Sequence, residues 1–312
     1  MKKTVFLFPG QGSQVVGMGL DLYREFESIR DLFEMANEIT HTNLSKLCFE
    51  GPMEELTRTI HLQPALTVIS LGFLTAIENE GIRPDIAAGH SLGEYSAIRA
   101  AGIVSTEDIL RLAFKRGELM HREATKHQGT MHEIIGLPID AVQEMVSEAQ
   151  KDGIVSVANH NAEEQIVITG APDAVQKVSS LARSRGARAI PLKVSGAWHS
   201  ELMKGAEAEF TDFIDSITFR APEKPVVHNV TADFSFDPEE IKSIMVRQLV
   251  SPVLWYDSMR KLQGEQAETF AEIGPGKVLT GLLKKIFPRD YPCKIYNVGD
   301  MKTLEQFLKE LF

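Results

Sequence analysis

Cysteine is scarce in this sequence: Cys48 and Cys293 are the only two in 312 residues. Two cysteines are too few for a disulfide framework or a cysteine-rich zinc cluster, so neither is expected. Such low cysteine usage fits a reducing compartment. We therefore expect a cytoplasmic protein.

Long apolar runs and an excess of positive charge are also missing. No apolar stretch approaches the roughly 20 residues that a membrane-spanning helix needs. The first run, residues 5–8, stops at Pro9-Gly10 and is too short for a signal peptide. The formal net charge is −10, whereas binding to duplex nucleic acid requires Lys and Arg that neutralise phosphates. We expect neither a membrane nor a nucleic-acid partner.

The remaining composition, 43% hydrophobic and 24% charged, is that of an ordinary globular protein. Short apolar runs alternate with amphipathic stretches, which is typical of an α/β fold. Gln63-Pro64 is predicted to open a helix, because proline suits the first helical turn. Buried strands are predicted at residues 4–8, 85–89, 225–230, 269–273 and 293–298.

The middle of the chain has a pattern of its own. Strands are predicted at residues 131–137, 155–158, 165–169 and 187–194, with helices at 139–151 and 174–185. This β-α-β-β-α-β order is that of a ferredoxin-like unit. We therefore predict a small subdomain, residues 127–197, inserted into a large α/β domain formed by residues 1–126 and 198–312.

The strongest local signal is Gly89-His90-Ser91-Leu92-Gly93, a G-x-S-x-G pattern between a predicted strand and a predicted helix. That context is the one required for a nucleophile elbow, in which a tight turn exposes the serine. The following helix N-terminus favours negative charge. An ordinary strand–turn–helix with small residues remains the alternative.

A serine hydroxyl needs a base to become a nucleophile, and the chain has nine histidines. His90 should point away from Ser91, and the histidines at 121, 127 and 132 lie near the edge of the insertion. His199 lies in a loop where the chain re-enters the large domain, and functional residues concentrate in such loops. His199 is our candidate base, with a surface or packing role as the alternative.

The helix that starts near Thr106 places an arginine on its apolar face. Arg116 follows Leu112 by four residues and precedes Leu119 by three, so it turns inward. A buried guanidinium needs an anion, and its planar fork suits a carboxylate. Either an internal Asp or Glu is the partner, or the carboxylate arrives with the substrate.

Several segments together resemble the malonyl-CoA:acyl carrier protein transacylase family. The motifs occur in the family's order and span almost the whole chain: Phe8-Pro9-Gly10-Gln11-Gly12-Ser13-Gln14, Gly89-His90-Ser91-Leu92-Gly93-Glu94-Tyr95-Ser96, Arg116-Gly117, Val194-Ser195-Gly196 leading to His199, Asn229-Val230, Gln248-Leu249-Val250-Ser251-Pro252-Val253 and Glu272-Ile273-Gly274-Pro275-Gly276. The resemblance implies that the large domain is α/β-hydrolase-like, with a parallel sheet.

The resemblance also implies the roles of individual residues. Ser91 would be acylated and His199 would be its base, oriented by the backbone carbonyl of Gln248. Gln11 and Leu92 would supply the backbone N–H groups of an oxyanion hole. The residues expected to bind the acyl substrate are Arg116, which would clamp a free malonyl carboxylate, and Gln63, Trp198 and Asn159.

The implied reaction moves a malonyl group from malonyl-CoA to an acyl carrier protein by a ping-pong route, without metal or cofactor. Three alternatives remain: a discrete acyltransferase serving a polyketide synthase, a hydrolase of the same fold, and a non-catalytic carrier-binding protein. A monomer is the default expectation. Acidic carrier proteins need a basic patch, for which the candidates are Arg183, Arg185, Arg188 and Lys193.

Three residues depart from the family's usual pattern. His132 and Glu133 stand where small residues are usual, and the sequence does not show whether they face solvent or a cleft. Trp198 precedes the histidine where relatives often have Phe or Ser. A side chain of that size should disfavour α-branched acyl groups such as methylmalonyl.

Overall fold

The computed structural model describes residues 3–311, which form nine β-strands in two sheets. The first sheet contains β1 Lys3–Phe8, β2 Ile86–Gly89, β7 Val226–Val227, β8 Ala267–Ile273 and β9 Lys294–Val298. The second contains β3 Thr130–Ile135, β4 Val155–Ala162, β5 Gln165–Gly170 and β6 Arg188–Pro191.

Helices surround both sheets. The described residues form fourteen α-helices: α1 Leu20–Glu25, α2 Glu27–Thr40, α3 Leu44–Glu50, α4 Met53–Leu56, α5 Thr59–Asn79, α6 Gly93–Ala100, α7 Thr106–Lys126, α8 Ile139–Ala149, α9 Pro172–Ser184, α10 Glu207–Asp215, α11 Pro238–Arg247, α12 Trp255–Gly264, α13 Val278–Ile286 and α14 Met301–Leu311. Two 3-10 helices, Gln150–Asp152 and Glu201–Ala206, complete the regular structure.

The first sheet is parallel, in the order β7-β2-β1-β8-β9. Both of its faces are covered: Phe6 and Phe8 of β1 pack into one core, whereas Val5 and Leu7 pack into the other. A strand buried on both faces reads as a continuous apolar run, which explains why the sequence predicted β1. Phe8 pairs with Gly89, so the loops that leave β1 and β2 meet at one sheet edge.

The second sheet is antiparallel, in the order β4-β5-β3-β6, and α8 and α9 cover one face. Side chains alternate along β3. Ile134 packs beneath the two helices, whereas Met131 joins the core of the first sheet. The two sheets are also linked through backbone, because His160 N–H donates to Val253 O at 2.9 Å and Val253 N–H donates to Ala158 O at 2.8 Å.

Helix α5 corrects two of our expectations. It begins at Thr59, so Gln63 and Pro64 lie inside it rather than opening it. It is also long and apolar enough to span a membrane by length and composition, contrary to the prediction from apolar runs. Most of its residues are buried, and it packs against α2 and α7. Its length and apolar character therefore belong to a core helix, and this packing outweighs the backbone hydrogen bond that Pro64 cannot make.

Two predicted strands are shorter in the structure. Residues 225–230 contribute only Val226–Val227 to the sheet, because His228 and Asn229 turn their polar groups towards a buried carboxylate. Residues 187–194 contribute Arg188–Pro191. Pairing of β6 with β3 covers only these four residues, and the chain then leaves towards His199.

We predict that Gly93→Ala destabilises the junction between β1 and α6. A Cβ at Gly93 would lie 1.9 Å from Phe8 O, so helix and strand must separate. Overpacking of this kind costs about 1–3 kcal/mol, and the midpoint of urea unfolding should fall. The control is Gly281→Ala in α13, where an added Cβ meets nothing within 4 Å; that variant should gain up to about 1 kcal/mol. Equal midpoints for Gly93→Ala and the unmodified protein would contradict the packing argument.

Candidate active site

The turn between β2 and α6 exposes Ser91 in a strained conformation. Ser91 has φ of 52°, in the left-handed region that a non-glycine residue rarely occupies. A Cβ at Gly89 would lie 2.0 Å from the carbonyl carbon of Gly93, so glycine is required for this close approach. Asn229 holds the turn: its Oδ1 accepts from Ser91 N–H at 2.7 Å and its Nδ2 donates to Gly89 O at 2.6 Å.

The structure brings His199 to Ser91 across 108 residues of sequence. Ser91 Oγ lies 2.7 Å from His199 Nε2. The other ring nitrogen, Nδ1, lies 2.9 Å from Gln248 O and 3.1 Å from Ser251 O. Because both acceptors are carbonyls, Nδ1 carries the proton and Nε2 is left to accept from the serine. No carboxylate takes part in orienting the ring within the described residues.

The other histidines that we considered lie elsewhere. His90 Nε2 is bonded to Asn161 Oδ1 at 2.8 Å, and its ring packs edge-on against Trp255. His132 Nδ1 is bonded to Ser179 Oγ at 2.7 Å, beneath α9. His127 is exposed, and His121 lines the outer cleft described below.

Burial, and after it the nearby charge of Arg116, lower the pKa of His199 to about 3. The imidazole is therefore neutral throughout the physiological pH range. Only the neutral form has a lone pair at Nε2, so the ring is ready to remove the Ser91 proton.

Arg116 of α7 is fully buried and reaches the nucleophile. Its Nη1 donates to Gln63 Oε1 at 2.7 Å, and its Nη2 donates to Ser91 Oγ and to Gln248 Oε1, both at 3.1 Å. No carboxylate of residues 3–311 lies within ion-pair distance of the guanidinium. The internal ion pair, one of our two alternatives, is therefore wrong for the described part of the chain. The charge is left facing the reactive hydroxyl.

The loop after β1 lies against the elbow. A Cβ at Gly10 would be 2.4 Å from His90 O and 3.7 Å from Leu92 N, so the backbones nearly touch. Leu92 immediately precedes α6, whose first N–H groups have no intrahelical acceptor. Gln11 and Leu92 both line the cavity at Ser91, with backbone N–H groups that donate to no acceptor within the described residues.

Ser91 and His199 open into a small cavity of about 100 Å³. Trp198 is 5% exposed and packs against Gly196 and Ala124. The other residues that line this cavity are Gln11, Gln63, His90, Leu92, Met120, Met131, Asn159, Leu192 and Val194. All nine predicted site residues are therefore brought together, because each lines the cavity or contacts Ser91. Gln248 also contacts His199 and Arg116.

A larger cleft of about 750 Å³ shares residues with the small cavity, among them Gln11, Asn159 and Val194. It runs between the two sheets and is lined by β4, β5 and the start of α13. Glu133 faces this cleft and accepts from Gln165 Nε2 at 2.6 Å. Successive side chains of β3 point to opposite faces of the sheet. The two residues that depart from the family pattern are therefore separated: Glu133 faces the cleft, and His132 faces α9.

Sequence reasoning missed the layer behind the elbow. Glu94, His228 and Asn229 are each 0% exposed, and Glu94 is bonded to His228 Nδ1, to Asn229 N–H and to Gln248 Nε2. Glu94 and Asn229 occur in the quoted motifs, but neither was given a role. The available signal was a carboxylate three residues after Ser91, placed on a helix face that must turn inward.

Comparisons with known proteins identify the family of the chain. Residues 5–305 match the family model described as the acyl transferase domain. The chain is 44% identical to the malonyl CoA-acyl carrier protein transacylase of Bacillus subtilis, over 99% of this chain and 98% of that protein. A polyketide biosynthesis protein of Burkholderia thailandensis is also 44% identical, over 91% of this chain but 24% of that larger protein. Among solved structures, a malonyl-transacylase in complex with its type II polyketide synthase acyl-carrier protein gives a TM-score of 0.94 at 36% identity, over 99% of each chain.

We predict that Ser91 stays reactive in mild acid. Modification by a serine-directed fluorophosphonate, followed by intact mass, should change less than about two-fold between pH 8 and pH 5, because the lowered pKa keeps His199 neutral. An imidazole with the ordinary pKa of about 6.5 would lose about 30-fold. The unfolded chain binds more protons than the folded one between these two pKa values, so stability falls as pH drops through that window; circular dichroism must show a folded protein at pH 5. A 30-fold loss with the fold intact would contradict the low pKa.

Proposed function

Because the chain belongs to the acyl transferase family that includes the malonyl-CoA:acyl carrier protein transacylases, we propose that it transfers a malonyl group from malonyl-CoA to the phosphopantetheine thiol of an acyl carrier protein. The observation that carries this proposal is Arg116, a buried cation 3.1 Å from Ser91 Oγ that has no carboxylate within ion-pair distance among residues 3–311. An acyl group that ends in a carboxylate supplies the missing anion.

In the first half-reaction, Ser91 Oγ attacks the thioester carbonyl while His199 Nε2 takes its proton. The negative charge that develops on the carbonyl oxygen is stabilised by N–H groups of Gln11 and Leu92, and losing one such donor typically costs on the order of 100- to 1000-fold in rate. The C–S bond then breaks, the proton passes from His199 to the departing sulfur, and coenzyme A leaves a malonyl ester on Ser91.

The second half-reaction runs the same chemistry with a different thiol. The carrier's thiol gives its proton to His199 and attacks the ester, after which the proton returns to Ser91 Oγ. Coenzyme A leaves before the carrier's thiol attacks, so the mechanism is ping-pong. The same base and oxyanion donors serve both steps, and neither step requires a metal or a bound cofactor. The cleft of about 750 Å³ is our candidate channel for the pantetheine arm.

The small cavity favours an unbranched acyl group. Trp198, Met120 and Met131 occupy its apolar side, and the free volume is about 100 Å³. Gln63 holds Nη1 of Arg116 and so aims the guanidinium at the bound carboxylate. Asn159 lies where the cavity opens into the cleft, within reach of the thioester. We propose that these contacts favour malonyl over methylmalonyl.

We also propose the domain division expected from the sequence: residues 127–197 as a ferredoxin-like subdomain, inserted into an α/β-hydrolase-like domain of residues 1–126 and 198–312. The antiparallel order β4-β5-β3-β6 with two helices on one face supports the first part, and the five-stranded parallel sheet supports the second. Residues 1, 2 and 312 of these ranges lie outside the described residues. A cytoplasmic monomer without membrane contact stays a proposal.

The alternatives are weighed by the same contacts. A hydrolase of this fold would fit an Arg116 that is paired internally and an acyl-enzyme that water can reach, and the guanidinium forms no ion pair within residues 3–311. A non-catalytic carrier-binding protein does not require the 2.7 Å hydrogen bond between Ser91 Oγ and His199 Nε2. A discrete acyltransferase of a polyketide synthase uses identical chemistry and differs only in its carrier, and the polyketide relative at 44% identity favours keeping it as the second candidate.

We predict that Ser91→Ala abolishes the malonyl adduct that intact mass detects after incubation with malonyl-CoA, because the ester has no other attachment point.

Arg116→Ala should lower kcat/KM for acylation by malonyl-CoA about 100-fold or more, as expected when one partner of a buried charge pair is truncated. Its rate with acetyl-CoA should fall much less. Arg122→Ala, on the outer side of the same helix, is the control and should keep the preference. Unchanged malonyl selectivity in Arg116→Ala would place the carboxylate clamp elsewhere.

We predict that the acidic carrier docks beside the channel on the basic patch of the inserted region. Arg185 is paired with Glu144 and Arg183 donates to Ala189 O, whereas Arg188 and Lys193 are exposed and Lys193 lines the cleft. Arg188→Glu, at an exposed position outside the lining of the cleft, should slow transfer to the carrier by up to about 10-fold at low salt, since opposite charges steer association. Acylation of Ser91 by malonyl-CoA should not change, and Lys46→Glu on α3 is the matched charge reversal. Equal slowing of both half-reactions would exclude docking at this patch.

A further inference from the structure

A single carboxylate lies behind the active site, out of contact with solvent. Glu94, on the first turn of α6, is 0% exposed. Its Oε1 is 2.8 Å from His228 Nδ1, and its Oε2 accepts from Asn229 N–H at 3.2 Å and from Gln248 Nε2. Burying a carboxylate is costly unless donors satisfy it, and three donors do so here.

No lysine or arginine of residues 3–311 forms an ion pair with Glu94. His228 is 0% exposed, and its Nε2 has no hydrogen-bond partner among the described residues. The ring therefore contacts the rest of this layer through Nδ1, and Glu94 is the acceptor shared by His228, Asn229 and Gln248.

An acceptor-only group fixes the direction of the Gln248 amide. Because a carboxylate accepts and never donates, Gln248 must present its Nε2 to Glu94. Its Oε1 is then turned towards Arg116 Nη2, at 3.1 Å. The flipped amide would place oxygen against the carboxylate and N–H against the guanidinium, and both contacts would be repulsive. Glu94 thus determines which end of Gln248 meets Arg116.

The same carboxylate also supports the elbow. It holds the backbone N–H of Asn229, whose side chain bonds Ser91 N–H and Gly89 O. Gln248 Nε2 adds a bond to Ser91 O at 3.1 Å. One buried charge is therefore connected to the nucleophile through Asn229 and to the substrate-binding cation through Gln248.

We propose that Glu94 is a positioning residue that sets the selectivity for acyl groups ending in a carboxylate. It acts through the Gln248 amide, which holds the guanidinium of Arg116 in the direction of the bound acyl group. This inference rests on the proposed function, in which Arg116 clamps the malonyl carboxylate. It gives the Glu of the G-x-S-x-G-E segment a role in specificity that is separate from the reactivity of Ser91.

The test is a double-mutant cycle in which the measured quantity is the ratio of kcat/KM for malonyl-CoA to kcat/KM for acetyl-CoA. For the wild type, Glu94→Gln, Gln248→Met and the combined variant, kcat/KM for acylation of Ser91 is measured with malonyl-CoA and with acetyl-CoA. Glu94→Gln should lower the malonyl-to-acetyl ratio on the order of 10- to 100-fold, as expected for loss of a hydrogen bond to a charged group. Gln248→Met keeps the main-chain carbonyl that orients His199 and should lower the ratio similarly. The combined variant should be no worse than Gln248→Met, because both changes interrupt one connection.

The matched control is Glu123→Gln, a buried carboxylate on α7 that pairs with Arg122 and Lys126 and does not contact Gln248. It should reduce stability without moving the ratio, as a purely structural role would. An unchanged ratio in Glu94→Gln, or fully additive effects in the combined variant, would overturn the inference. If Glu94→Gln does not fold, the inference is tested with Gln248→Met alone. A malonyl-to-acetyl ratio that is unchanged in Gln248→Met would show that Glu94 does not act through the Gln248 amide.

The same measurements separate this inference from the proposed function. A wild type that forms no malonyl adduct would overturn the proposed function and this inference with it. A malonyl-selective wild type whose ratio survives Glu94→Gln would overturn the inference alone.

Discussion

The guanidinium of Arg116, which forms no ion pair within residues 3–311, is the constraint on which the rest of the site depends. A cation removed from water is costly, and here neutral oxygens of Gln63, Gln248 and Ser91 replace the lost solvent. These contacts stabilise the charge without cancelling it, so it continues to act on its surroundings. It helps to keep His199 neutral, and it leaves the cavity complementary to an anion. One buried charge therefore adds to the effect of burial on His199 and, in the proposed function, also supplies the selectivity for an anionic acyl group.

Backbone strain at the two reacting residues requires a rigid frame. Ser91 and His199 have φ of 52° and 60°, and conformations of this kind cost on the order of 1–3 kcal/mol each. The strain at Ser91 is opposed by the hydrogen bonds of Asn229, and the ring of His199 is held by the carbonyls of Gln248 and Ser251. Glu94 bonds both Asn229 and Gln248, so the two reacting residues share one support.

The sequence predicted those features that arise from local periodicity. The strands of the parallel sheet are buried on both faces and therefore read as apolar runs, and the inward position of Arg116 follows from helical spacing along α7. Features that depend on distant partners were not predictable in this way. Pro64 sits inside α5 because tertiary burial outweighs local preference, and Glu94 meets His228 across 134 residues of sequence. The faces of the second sheet from which Glu133 and His132 project could be assigned only from the structure, in which β3 pairs with β5 in a defined register.

The bridge between the two sheets couples the channel to the base. Asn159 of β4 lines the acyl cavity and pairs with Val253, which ends the segment whose Gln248 and Ser251 carbonyls orient His199. A shift of the second sheet relative to the first would therefore also move the acceptors of the imidazole. The position of the imidazole is therefore tied to the packing of the two sheets, together with its 2.7 Å bond to Ser91 Oγ. Donors fixed in advance need no reorganisation when charge develops on the substrate, which is the condition under which they are most effective.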